Sequence, residues 1–472
     1  MTIPRAWTLL LAAAPACSLS TFDNQPCTTN VECRDAFGLG SVCGGEGLCE
    51  VTEVPERCTN SLPEDLTFPV DPSETFLFAT LFDHSLDTHV ARYRSAELAV
   101  AQVNDSDGLN GQPFAILHCD NQEAHPSDGL DKDTATVALA TWLADEVGVP
   151  AIVGPAASSR TEAAFNAIEP LGTTLMISPS ATSPTLTVLD QLVASDETPG
   201  LLWRTAPPDS LQGRAIADYM IDTGVARVSV IYQSGAYGDG LSEVFADNFT
   251  GDVDLYPFDS ETARSEAVTD VGLSNPSQVL FISSDISDVV AFLNSAAGQE
   301  SYRSVPIFLT DAARTADVLA QASGASVLFP NIHGSAPSLP SGAVYESFQS
   351  NYRGRYGGED VSQYSYTAHA FDAAWLVIDG HAWSWFNEGE AVSGIGIARG
   401  LRRISSGESF AVRPGSWTSI VAHFEIGDGV DLDGASGPLD YDAVTEETSA
   451  PVDYWIINGA GDDFEVSETW YP

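Results

Sequence analysis

Beyond Pro72 the chain alternates short apolar runs with amphipathic stretches, and it does so twice, which confines it to layered α/β architectures more tightly than any other feature. Residues 75–81 read as a buried strand, and the next stretch presents Ala96, Ala99, Val100 and Val103 at i, i+3, i+4 and i+7, the spacing of one helix face. Segments 114–117, 150–153 and 174–177 continue the strands, with a helix over 132–147 striped by Val137, Ala140, Ala144 and Val147. After residue 205 the rhythm restarts. Strands at 228–232, 278–282 and 306–309 alternate with a helix lined by Leu241, Val244, Phe245 and Phe249 and another lined by Val289, Leu293 and Ala296. Such alternation predicts parallel sheets with helices on both faces, and roughly 400 residues exceed one comfortable core. Two doubly wound parallel-sheet lobes are therefore expected, with any ligand beyond the carboxyl ends of the strands.

The N-terminus bounds the compartment. Arg5, the apolar run Trp7–Ala14 and Ala14-Pro15-Ala16 before Cys17 read as a signal peptide over 1–16, too short to span a bilayer. Small residues ahead of Cys17 also resemble a bacterial lipobox, whose cysteine is acylated. Seven cysteines are an awkward number for an exported chain, and acylating Cys17 leaves six that can pair. Ordinary cleavage at the same site, leaving Cys17 as a spare thiol, is the alternative. Residues 17–72 are too polar to build a core and read as a disulfide-stapled stalk. Cys27, Cys33, Cys43 and Cys49 form a two-bridge knot whose pairing the sequence leaves open, and Cys58 is left for Cys119 in the main body. No histidine lies among these cysteines, so a metal is not expected.

Sixty-six acidic residues against nineteen basic ones give a formal charge of −47, and Lys132 is the only lysine. Nucleic acid and anionic membrane surfaces are excluded as partners, and the charge is read as surface solvation. After Cys17 no apolar run is long enough for a transmembrane helix, so a membrane is touched only through a lipid anchor.

The chemistry concentrates in loops. The strand at 151–153 runs into Gly154-Pro155-Ala156-Ala157-Ser158-Ser159, and Ser159-Arg160-Thr161-Glu162 has the spacing of a capping box. A helix start with free N–H groups and two hydroxyls suits a carboxylate; a plain cap at Ser159 is the bland reading. Arg160 reads as a solvated first-turn residue that could also serve an acidic ligand. The next strand ends in Ser178-Pro179-Ser180-Ala181-Thr182-Ser183-Pro184, where two prolines restrict a polar turn. Its carbonyls can accept from an ammonium while Thr182 donates to a carboxylate, so the paired turns suit a zwitterion.

These two turns, Tyr237-Gly238 before a helix, the segment 103–113, Ala370–Ala374 and the tail 434–442 together resemble the type I periplasmic binding proteins of the branched-chain amino acid (Leu/Ile/Val-binding) group, substrate-binding proteins of ABC transporters, from about residue 73 to the end. The resemblance implies a Venus-flytrap of two lobes joined by three hinge crossings, 73–204 plus 336–452 and 205–335 plus 453–472. It implies that Ser158 and Thr182 hold the ligand's α-carboxylate, that the Ser180 backbone carbonyl accepts from its ammonium, that Tyr237 closes over it from the second lobe, and that Asp311 meets the ammonium; Ser159 and Ala181, in the same turns, are counted with the ligand-binding residues. Ser283-Ser284-Asp285 stands where some relatives present an aromatic residue, which points to a more polar ligand.

An enzyme is not expected. The chain has no H-E-x-x-H, no G-x-S-x-G and no Walker loop, its histidines are scattered (His84 and His89 near the expected cleft edge), and Asp428, Asp431 and Asp433 read as a solvated turn. The reading is an acidic, extracytoplasmic, lipid-anchored receptor for an amino acid or similar solute, without cofactor, serving an ABC permease. A sensory ectodomain signalling to a separate kinase or regulator is the alternative.

Overall fold

Four cysteines staple the N-terminal segment, Cys27 to Cys43 and Cys33 to Cys49, around a short helix Asn30–Phe37 and a hairpin of β1 (Ser41–Cys43) and β2 (Cys49–Val51). The computed structural model describes residues 25–190, 195–389 and 392–472, so the segment 1–16 and Cys17 lie outside the described residues. The stapled segment is not a free stalk. Trp142 donates to Thr52 at 3.1 Å, Arg57 pairs with Asp128 at 2.6 Å, and β3 (Asn60–Leu62) pairs antiparallel with β5, so tertiary contacts invisible to composition seat it on the first lobe. A third disulfide joins Cys58 to Cys119.

The first lobe is built on β4 (Phe76–Phe82), β5 (Phe114–Asp120), β6 (Ala151–Val153), β7 (Leu175–Ser178) and β8 (Leu202–Arg204), in the order β3-β5-β4-β6-β7-β8. All its pairings but β3 are parallel. Every residue of β4 is buried. The pleat sends Phe76 and Phe78 into a core with Ala96, Trp375 and Trp417, and Leu77 and Leu81 into another with Leu143 and Phe165, because a central parallel strand is covered on both faces. The expected helix over 132–147 is an α-helix, Lys132–Thr141, ending in a π-turn, Trp142–Val147, so the buried stripe runs through Ala135, Leu139, Leu143 and Val147.

The second lobe holds β9 (Arg227–Gln233), β10 (Asp252–Phe258), β11 (Val279–Ile282), β12 (Ile307–Leu309) and β13 (Ile332–Pro337). A parallel pair, β14 (Glu408–Ala411) and β15 (Val430–Asp433), packs on the first lobe, and β16 (Val452–Ile457) and β17 (Phe464–Trp470) return to complete the order β10-β9-β11-β12-β13-β16-β17. The last two strands are antiparallel, so this sheet is mixed at its edge.

The chain crosses between the sheet systems after β8, after β13 and before β16. Arg204, at the first crossing, grips Glu447, at the third, through two hydrogen bonds of 2.6 Å. Both side chains are nearly buried, and a bidentate pair of this kind fixes geometry as well as supplying energy.

Candidate functional site

Because β6 and β7 are adjacent and parallel, the turns that follow them leave the sheet side by side. Gly154 opens the first turn at φ +109°, and a Cβ there would lie 2.5 Å from the Leu81 carbonyl oxygen, so only glycine fits. The turns are then sewn together. Ser178 Oγ donates to Pro155 O at 2.6 Å, Ser180 Oγ to Ala156 O at 3.0 Å, and Ser158 Oγ accepts from the N–H groups of Thr182 and Ser183 at 3.2 Å each.

The capping box expected at Ser159 does not form. The helix Ser158–Ile168 starts two residues earlier, its N-cap Ala157 makes no side-chain cap, and Ser159 is exposed. The N-cap Ala157 has no side-chain oxygen, and Ser158, the first helical residue, turns its oxygen to the neighbouring turn, so the helix's first N–H groups have no side-chain acceptor. Arg160 pairs with Asp133 at 2.8 Å, away from the turns.

Thr182 is buried, and its hydroxyl donates to Asp209 Oδ2 at 2.9 Å while Asp209 N–H donates to Thr182 O at 2.7 Å. Asp209 opens the helix Asp209–Asp222, just past the first crossing. Burial, reinforced by the negative charge of Asp311, pushes its carboxyl well above the usual carboxylate range. Ala181 is fully buried and its carbonyl accepts from Arg204 Nη1 at 3.3 Å; Arg204 also donates to Ser183 O at 2.6 Å. The hinge pair Arg204–Glu447 thus holds the second turn in place.

The second lobe meets these turns with the helix Ala236–Asn248. Ser183 Oγ donates across to Ala236 O at 2.5 Å. A Cβ on Gly238 would lie 1.8 Å from Gln233 O, so glycine lets this helix start hard against β9 and carries Tyr237 to the cleft. Tyr237 donates to Asp311 Oδ1 at 2.5 Å, and Tyr366, from the first lobe, donates to Asp311 Oδ2 at 2.8 Å. Burial and the nearby Asp311 charge hold both phenols well above their ordinary value, so they remain donors at neutral pH. Tyr366 has φ +61°, a left-handed conformation that a bulky residue adopts only where its surroundings impose it.

Arg92, on the helix Asp87–Asn104, completes the cluster. It is buried, donates to Ser365 O and Ser365 Oγ at 3.0 Å each and to Ser180 Oγ at 3.2 Å, and its guanidinium lies 5.3 Å from the centre of the Tyr366 ring. Burial lowers its pKa to about 10, so it is charged at neutral pH. Beside this cluster a cavity of about 230 Å³ separates the lobes, lined by Asp311 and Leu319 from one and Tyr345, Tyr366 and His369 from the other.

The structure therefore brings Ser158, Ser180, Ala181 and Thr182 together in one lobe and Tyr237 and Asp311 in the other, while Ser159 stands outside the bonded set. Sequence reasoning missed Arg92, Asp209 and Tyr366. No helix among the described residues is long and apolar enough to cross a membrane.

Residues 91–388 match the family model described as the receptor family ligand binding region. An uncharacterized protein of Methanocaldococcus jannaschii is 27% identical over 199 residues, 39% of this chain and 44% of that protein. A Leu/Ile/Val-binding protein homolog of Brucella melitensis is 28% identical over 155 residues, 32% of this chain and 37% of that protein. The chain thus spans less than half the length of these curated relatives. Among solved structures, the branched-chain amino acid transporter substrate-binding protein LivJ of Streptococcus pneumoniae, in complex with isoleucine, aligns with TM-score 0.62 at 21% identity over 84% of this chain and 100% of its own. An ABC-transporter solute-binding protein of R. palustris in complex with 4-hydroxybenzoate aligns with TM-score 0.62 at 12% identity over 84% of this chain and 97% of its own. At such identities the likeness shows the fold.

Proposed function

The chain belongs to the type I periplasmic binding protein family, whose model is described as the receptor family ligand binding region, and from that membership we propose that it is an extracytoplasmic solute-binding protein that closes on an amino acid or similar small polar ligand and delivers it to an ABC importer. The observation that carries this reading is the facing of the two turns, tied by Ser158 to the Thr182 and Ser183 N–H groups, with the carboxylate of Asp311 across the cleft. A ligand ammonium is met by Asp311. A ligand carboxylate is met by the first N–H groups of the helix Ser158–Ile168 and by the Thr182 hydroxyl, whose hydrogen it takes over from Asp209. Closure follows because only the closed form presents both partners at once. In the same reading residues 1–16 are a leader and Cys17 carries the lipid.

The test is a thermal-shift screen of the purified chain against amino acids, amides, peptides, aromatic acids and sugars. A ligand that binds only the folded state adds about 2.7 kcal/mol at a concentration a hundredfold above Kd, so a hit raises the midpoint visibly. A panel in which no solute raises the midpoint would sink the receptor reading.

A further inference from the structure

The other buried arginines of this chain are neutralised. Among the described residues Arg57 pairs with Asp128, Arg204 with Glu447, and Arg264 with Asp288. Arg92 is not: among the described residues no carboxylate lies within ion-pair distance, although its side chain is as deeply placed, with only 6% of the residue exposed. Its acceptors, Ser365 O, Ser365 Oγ and Ser180 Oγ, are all neutral, and they engage one donor on each of its three nitrogens out of five N–H groups. A guanidinium taken from water without a counter-charge is costly, and neutral dipoles recover only part of that cost. The nearest candidate counter-charge, Asp311, already accepts two phenols.

The position of this charge matters as much as its isolation. Ser180 belongs to the second turn, while Ser365 and Tyr366 line the cavity between the lobes; Arg92 is not itself part of that lining but lies directly behind these two residues, where the turn meets the cavity wall. From these observations we infer that Arg92 is the specificity-determining residue of the cleft and selects ligands with a second carboxylate, that is, acidic amino acids. The inference rests on the receptor reading given above. In it each ligand charge finds one partner: the ammonium Asp311, the α-carboxylate the turn at 154–158 with Thr182, and the side-chain carboxylate Arg92. The guanidinium fork suits that last group, since it can offer a carboxylate two parallel N–H donors.

The experiment is isothermal titration of the wild-type chain, Arg92→Gln and Arg92→Lys with L-aspartate, L-glutamate, L-asparagine, L-glutamine and L-leucine. The acid and amide of each pair have nearly the same shape, so their affinity ratio reports charge recognition. The wild type is expected to bind an acid at least about tenfold more tightly than its amide, the worth of one charge-assisted contact. Arg92→Gln should erase that ratio and Arg92→Lys should keep part of it. Binding of leucine or an amide as tightly as the acids overturns the role of Arg92 and leaves the receptor reading standing. No binding by any solute, here or in the broader screen, overturns both. Should Arg92→Gln fail to fold, the wild-type acid-to-amide ratio decides alone.

Discussion

Tyr366 of the first lobe gives its hydroxyl hydrogen to Asp311 of the second at 2.8 Å, so one hydrogen bond to a carboxylate spans the cleft. Its neighbour Tyr237 holds the other oxygen of the same carboxylate from within the second lobe. Replacing Tyr366 by Phe keeps the ring and removes this bridge, which as a bond to a charged group is worth about 1.5–3 kcal/mol. The unliganded variant should populate open forms, and small-angle scattering should give it a larger radius of gyration than the wild type. Identical curves would show that the bridge does not hold the lobes together.

Thr182 tests the turn opposite. Thr182→Val keeps the shape, deletes the donor to Asp209 and leaves that buried carboxyl without its partner. Ligand affinity should fall by about tenfold or more, and stability by about 1–3 kcal/mol. Calorimetry that returned an unchanged Kd would remove Thr182 from the site.

Buried carboxyls contribute stability in mild acid that is lost in mild base. Burial pushes Asp372 and Glu446 up to about 7, and it raises Asp379, whose two oxygens have no hydrogen-bond partner in the protein, well above the usual range. A folded-state pKa above the unfolded value gives stability that is complete below the unfolded pKa, near 4, and is lost as pH rises through about 7. These carboxyls therefore contribute a fall in stability between about pH 5 and about pH 8, set against a rise from His118, His369 and His381, whose folded pKa is held down to about 3, so the carboxyl contribution is read as the difference in slope between wild type and a variant lacking one of them. Asp379→Leu should raise the midpoint at the upper pH by the equivalent of about 1–3 kcal/mol and flatten the slope. A variant less stable than wild type at that pH would show that the Asp379 carboxyl is stabilising.

The Cys58–Cys119 bond closes a loop of sequence separation 61 and ties the N-terminal segment to β5. Replacing both cysteines by alanine should cost about 4 kcal/mol, mainly through a freer unfolded chain. A loss well below 1 kcal/mol would mean that Arg57–Asp128 and the β3 pairing seat the segment without it.

Seven strands, β4 to β7, β9, β11 and β12, were legible because each is an apolar run bounded by turn residues, and β4, β7 and β11 are buried along their whole length, whereas edge strands such as β10 and β17 are largely unburied and carry no continuous apolar run. The two turns were legible for the same reason, since polar residues and proline directly follow buried strands. The capping box was misread because local spacing cannot show that the helix begins two residues earlier, after Ala157, which places Ser159 inside its first turn. Arg92 carried no local mark: it lies two residues from Arg94, which faces the surface and pairs with Glu359. Tyr366 and Asp209 enter the site from hinge-proximal elements far along the chain, and only the tertiary fold brings them to Asp311 and Thr182.

The measurement that bears most directly on the receptor account is the calorimetric affinity of the best ligand for Asp311→Asn against the wild type. The account predicts an affinity at least about tenfold lower, because the ammonium loses its counter-charge while the shape of the cleft is kept. Equal affinities would contradict it, since the ligand would then be bound without the second lobe's carboxylate.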